Sequence, residues 1–138
     1  MTVGFIAGSF DIIHPGYIKM FHEAKEIVDF LIIGLQRDPS VERPLKIKPL
    51  LSWDERSYIL YSIKYIDLIY EYSTEADLIR LLNDIYPDIR FLGDDYKGKS
   101  FTGDNLNIPI IYLERLPKWS TTKLKKDIHK QMEEYYEK

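Results

Sequence analysis

The chain has no cysteine among its 138 residues, which excludes disulfide staples and thiolate chemistry alike. That absence fits a reducing compartment, and a cytoplasmic location is expected. Long apolar runs are also missing. None approaches the ~20 residues that a membrane-spanning helix needs, and the first residues lack the charged stretch and apolar core of a signal peptide, so no membrane partner is expected. Basic residues do not predominate: 19 Lys and Arg against 22 Asp and Glu leave a net charge of −3. A nucleic-acid partner needs a basic face, so none is expected. Histidine is scarce, and His14, His22 and His129 have no metal-ligand spacing, so no protein-held metal is expected. His22 and His129 read as helix-surface residues.

What is present is an ordinary globular composition, 45% hydrophobic and 30% charged, enough to bury a core in one domain spanning residues 1–138. "VGFIA" (3–7) is a short apolar run that stops at Gly8, as a buried strand does. Pro15 suits the first turn of a helix, and Ile18, Phe21, Ala24, Ile27 and Val28 then recur at helical spacing. "FLIIGLQ" (30–36) is continuously apolar, the pattern of a parallel strand covered on both faces. Residues 37–51 hold three prolines and no period, and read as a long loop. Ser52 with Glu55 forms a capping box for a helix running to about Tyr65, and Thr74 with Asp77 opens another through Ile85. "IDLIYEY" (66–72), "DIRFLG" (88–93) and "IPIIYLE" (108–114) supply three more strands, and residues 120–138 close the chain as a capped polar helix. Strand–helix alternation with short helices predicts an α/β fold: a single Rossmann-like, doubly wound domain with a five-stranded parallel sheet.

In such a sheet, ligands bind beyond the carboxyl ends of the strands. Three unusual segments fall there: 8–17, 37–51 and 115–122. Singly, each has a plain explanation: Gly8 as a tight turn, the basic loop as solvated surface, "STT" as a helix cap. Together they suit a triphosphate. A helix opening at Pro15–Gly16 presents N–H groups and a partial positive charge, and Gly8 and Gly16 admit a close approach to the backbone. His14 can hydrogen-bond phosphate oxygens, while Arg43, Lys46, Lys48 and Arg115 offer further charge. Ser120, Thr121 and Thr122 add hydroxyls at a second helix start.

"GSFDIIHPGY" (8–17) resembles the G-x-F-D-x-x-H-x-G-H signature of the HIGH-superfamily nucleotidyltransferases, and is most similar to the glycerol-3-phosphate cytidylyltransferase group. The likeness continues through "IKMFHEAKEIVDFLIIGL", "RPLKIKP", "WDERSYILYSIKYID" and "FLGDDYKGK". It ends at "RLPKWSTTKLKKDI", where the family has R-x-x-G-I-S-[ST]-T. The resemblance implies that a phosphomonoester oxygen attacks the α-phosphate of CTP, forming a CDP-alcohol from a small phosphorylated alcohol such as glycerol 3-phosphate and releasing pyrophosphate. Mg2+ would accompany the triphosphate. Catalytic positions would be His14, Tyr17, Lys46 and Arg115. Gly8, Ser9, Phe10, Gly16, Asp94, Ser120, Thr121 and Thr122 would bind the nucleotide, and Lys48, Arg56 and Lys64 the acceptor. A homodimer is also implied.

Three positions depart from the pattern. The signature's second histidine is Tyr17, a hydrogen-bond donor without positive charge at neutral pH. Lys118–Trp119 replaces glycine–isoleucine, and Lys64 stands in place of arginine, losing a planar two-pronged grip. Two other readings therefore stand beside the first: an adenylyltransferase using ATP with a sugar- or flavin-phosphate, and a nucleotide-binding protein whose catalysis Tyr17 has impaired.

Overall fold

The computed structural model describes residues 1–138. The elements run β1 (Val3–Gly8), α1 (Pro15–Ile27), β2 (Phe30–Gln36), α2 (Pro39–Glu42), α3 (Trp53–Tyr61), β3 (Leu68–Tyr72), α4 (Glu75–Ile85), β4 (Ile89–Gly93), β5 (Ile110–Leu113) and α5 (Thr121–Tyr136). All five strands are parallel, in the order β3-β2-β1-β4-β5. The Rossmann-like sheet expected from strand–helix alternation is the one observed.

Side-chain alternation explains the continuous apolar runs. Ile6 of β1 and Leu31, Ile33 and Leu35 of β2 join Phe21 and Ala24 of α1 and Leu60 of α3 on one face. Phe5 and Ile32 point the other way, onto Leu78 and Leu82 of α4. Each strand thus feeds two cores, and neither face tolerates a polar residue at these positions. Gly34 makes room for this arrangement: a Cβ there would lie 2.5 Å from Cζ of Phe5.

Local signals set the helix ends. Ser52–Glu55 and Thr74–Asp77 both form complete capping boxes, and Ser120 caps α5 through the Lys123 amide. Two boundaries differ from expectation. Within the loop 37–51, Asp38 accepts from the Ser40 amide at 2.9 Å and Pro39 starts the one-turn α2. Helix α3 stops at Tyr61 instead of Tyr65, and the chain descends through tight turns (Ile63 N to Leu60 O, Ile66 N to Ile63 O) that drop Ile66 into the core. The strands are also trimmed. β5 begins only at Ile110, and the carbonyl of the preceding Pro109, which itself has no N–H, accepts from the Arg90 amide.

The chain passes from β1 outward to β2 and β3, then returns through α4 to β4 on the other side of β1. The order reverses between β1 and β4, and the loops following β1, β2, β4 and β5 converge there.

Candidate functional site

A cleft of about 490 Å³ opens at this reversal, with walls from the β1–α1 loop, the loop 37–51, the ends of β4 and β5, and the start of α5. Gly8, Ser9, Phe10, Tyr17, Lys46, Arg115, Ser120, Thr121 and Thr122 all line it. Most of the nucleotide-binding and catalytic positions expected from the sequence are thus brought to one place. Phe10 also serves the core. It holds a left-handed backbone (φ 45°), and its ring packs edge-on against Tyr17 and Phe21 at 5.0 and 5.4 Å. A Cβ on Gly8 would meet that ring at 2.8 Å, so glycine there keeps Phe10 in place.

Two charged residues tie the cleft together. Asp11 is buried, and it accepts the amides of Leu50 (2.7 Å) and Leu51 (2.9 Å) and pairs with Lys125 at 2.5 Å. One carboxylate therefore joins the β1–α1 loop, the loop carrying Lys46, and α5. Burial opposes its charge, but Lys125 and the two amides outweigh that and hold the carboxyl below its usual range. Lys125 also lines the cleft, adding a cation to its wall. Arg56 is the second tie. Its side chain is only 2% exposed, and it donates to the carbonyls of Ser9 (2.8 Å), Gln36 (2.6 Å), Arg37 (2.7 Å) and Leu51 (3.1 Å). With its donors directed at backbone carbonyls, Arg56 sits beneath the cleft as a clamp and does not line it for an acceptor.

The other acceptor candidates also lie off the cleft wall. Lys48 is exposed and does not line it, and Lys64 lies beyond the last turn of α3, its ammonium 5.3 Å from the Tyr65 ring. Asp94 turns its carboxylate toward the chain and accepts the Arg115 amide at 3.1 Å, holding the β5–α5 loop. Arg115 itself faces Asp95 at 3.5 Å.

His14 occupies an unexpected position. Its ring is 5% exposed and stacks behind Tyr17 (3.9 Å between centroids, 23°), with Trp119 parallel at 6.0 Å. Neither ring nitrogen has a hydrogen-bond partner, and the ring does not line the cleft. Gly16 permits this stack, because a Cβ there would lie 2.9 Å from the Trp119 Cβ. Tyr17 takes the cleft-facing place, its hydroxyl 3.4 Å from Thr121 Oγ1, which also reaches the Ile12 carbonyl at 3.1 Å. Sequence reasoning could not find this stack, since it depends on Trp119 folding back across more than a hundred residues of chain.

Burial, followed by the Arg115 charge, lowers the His14 pKa, so the imidazole is neutral at pH 7. The unfolded chain then takes up this proton more readily than the folded one. Stability linked to His14 is complete above the unfolded value of about 6.5 and is lost as pH falls from there through the lowered folded pKa. In His14→Phe, thermal melts should lose part of the acid-side decline between pH 7 and 5. An unchanged melting profile would show that His14 titrates freely.

A cationic cleft at the switch point of a doubly wound sheet is the layout of a nucleotide-binding α/β domain. The cytidylyltransferase-like family matches residues 5–127, and the chain belongs to that family, which is of the nucleotidyltransferase type. Similar proteins include the bifunctional protein HldE of Campylobacter concisus, 34% identical over 91% of this chain and 27% of that protein. The HldE of Aliarcobacter butzleri is 39% identical over 74% of this chain and 21% of its own length. The chain therefore spans about a quarter of the length of these relatives. Among solved structures, a lipopolysaccharide core biosynthesis protein from Thermoplasma volcanium shares the fold with a TM-score of 0.70 at 24% identity, covering 84% of this chain and 98% of that one. A pantoate–β-alanine ligase from Francisella tularensis, solved with β,γ-ATP and β-alanine, shares it at 0.60 and 16% identity, covering 90% and 67%.

Proposed function

We propose that this domain is an adenylyltransferase: it transfers AMP from ATP to the phosphate of a phosphorylated metabolite and releases pyrophosphate. The observation that carries the transfer reading is the convergence of Lys46, Arg115, Lys125 and the α5 N-terminus on the cleft at the β1/β4 switch point. The choice of ATP over CTP is supported by kinship with the HldE proteins. We therefore prefer the adenylyl reading to the cytidylyl reading that the signature resemblance suggests.

In this mechanism an acceptor phosphate oxygen attacks the α-phosphorus in line, the new P–O bond forms, and the bond to pyrophosphate breaks. The chain's work is orientation and charge. The N–H groups at the start of α5, with the Thr121 and Thr122 hydroxyls, suit the β- and γ-phosphates. Arg115 offsets charge gathering on the departing pyrophosphate, and Lys46 balances the two phosphates brought together at the reacting centre. Asp11 acts through others, fixing the Lys46 loop against Lys125. Mg2+ would accompany the triphosphate and add to the charge that Arg115 and Lys46 supply.

Pyrophosphate release from ATP, CTP, GTP and UTP with magnesium and a panel of phosphorylated alcohols and sugars tests the reading. ATP should be preferred by at least about tenfold in kcat/KM. A preference for CTP would restore the cytidylyl reading. Tight ATP binding without release from any donor would leave a nucleotide-binding protein.

A further inference from the structure

Part of the cleft lining is left unused by the transfer machinery: Tyr72, Glu75, Tyr96, Phe101 and Thr102. Arg90, on β4 and only 4% exposed, lines the cleft with them. The guanidinium makes one hydrogen bond, from Nη1 to the Thr102 carbonyl, and lies over the Phe101 ring at 5.4 Å. Its Nε is buried with no partner.

No carboxylate pairs with Arg90. Glu75, an acid of this lining, is already engaged with Arg43 at 3.0 Å, and Asp104 accepts from the Ser100 hydroxyl at 2.8 Å. Glu75 and Asp104 act on Arg90 only through space, and a buried guanidinium with an idle donor and no directly paired carboxylate is costly unless something completes it. The surroundings are shaped to keep it there: Gly103 has φ 84°, and a Cβ at that position would lie 3.0 Å from Nη1. The loop after β4 is thus folded tightly over the charge, leaving the cleft as its open side.

The backbone of Arg90 stands three residues before Gly93, the end of β4, about 10 Å back along the strand from the edge where the phosphate-binding cations gather. We propose that Arg90 is a specificity-determining residue that binds an oxyanion, a carboxylate or a second phosphate, at the end of the acceptor remote from its reacting phosphate. This rests on the transfer reading above. The preferred acceptor then carries two anionic ends, one reacting beside Lys46 and one anchored on Arg90.

Matched ligand pairs test the anchor directly. Phosphoglycerate differs from glycerol phosphate, and phosphogluconate from sorbitol phosphate, in having a terminal carboxylate where the partner has a hydroxymethyl group. Titration calorimetry should show one carboxylate-bearing member binding at least about tenfold tighter than its partner. Arg90→Met should erase that preference and leave binding of the hydroxymethyl member unchanged, while Arg90→Lys should retain part of it. Equal binding within both pairs by the unsubstituted protein, which needs no variant to fold, would overturn the proposal. A preference surviving in folded Arg90→Met would do the same. In turnover, the Met variant should raise KM for the acceptor and not for ATP. A rise for ATP alone would mean that Arg90 reads the nucleotide, and would refute the assignment. Because calorimetry needs no reaction, absence of pyrophosphate release would count against the transfer reading, while the binding preference tests the Arg90 anchor separately.

Discussion

Arg56→Met should lower the melting temperature by roughly 10 °C or more. The guanidinium gathers the carbonyls of Ser9, Gln36, Arg37 and Leu51 from three separate segments. A methionine fills similar volume but donates nothing, so several buried acceptors lose their partner at once. Each such loss costs about 1–3 kcal/mol, and relaxation of the loops recovers part of it, which leaves a net of about 3 kcal/mol. For a domain of this size that is worth roughly 10 °C. Burial is also why the Arg56 pKa falls below the usual guanidinium value, with Asp11 and Asp38 opposing the shift. An acceptor-binding arginine would behave differently, since its loss would raise KM while leaving the melt nearly unchanged. Scanning calorimetry beside acceptor titrations separates the two, and an unshifted melt would restore Arg56 to the acceptor site.

That contrast shows where sequence reasoning succeeds and where it stops. The five strands and the capping boxes at Ser52 and Thr74 depend on residues close together in the chain, so composition and spacing reveal them, and strand–helix alternation implies the parallel arrangement. The β1–α1 signature and the Ser120–Thr122 cap were legible for the same reason. Arg56 resists such reading because its partner Ser9 lies 47 residues away. Asp11 is similar: its amide partners are about 40 residues distant and Lys125 is farther still. Neither the strained backbone of Phe10 nor the idle Nε of Arg90 has a local sequence cue. Only the tertiary fold shows Arg90 buried beneath a loop. The start of α2 was legible in principle, since Asp38–Pro39 is a cap followed by a proline at the first helical position. The density of prolines around it hid that cue.

Tyr17→His should raise turnover, by about tenfold at pH 6 and much less at pH 9. Tyr17, in the first turn of α1, holds the cleft-facing place, and its hydroxyl is near Thr121 at the start of α5. A phenol there can donate one hydrogen bond but brings no positive charge. His14 cannot supply the missing charge easily, because burial and Arg115 favour its neutral form. An imidazole at position 17 would be more exposed to the cleft, ionise near pH 6.5 and face phosphates that favour its cation. Charge-assisted contacts of this kind are worth up to about a hundredfold in rate, and the stack on His14 reduces the gain because two adjacent imidazoles resist being charged together. The signature is the pH dependence of the ratio between variant and parent. It should climb as pH drops through the range where the new imidazole protonates, and fall toward one where it is neutral. Tyr17→Phe is the counterpart: it keeps the aromatic stack and loses the donor, so kcat should drop about tenfold with little change in melting temperature. If the Tyr17→His ratio were flat between pH 6 and 9, charge at this position would not limit the reaction. Lower activity at every pH would instead mark Tyr17 as part of a pocket reshaped together with Trp119, in which the phenol's length rather than its charge positions the phosphate.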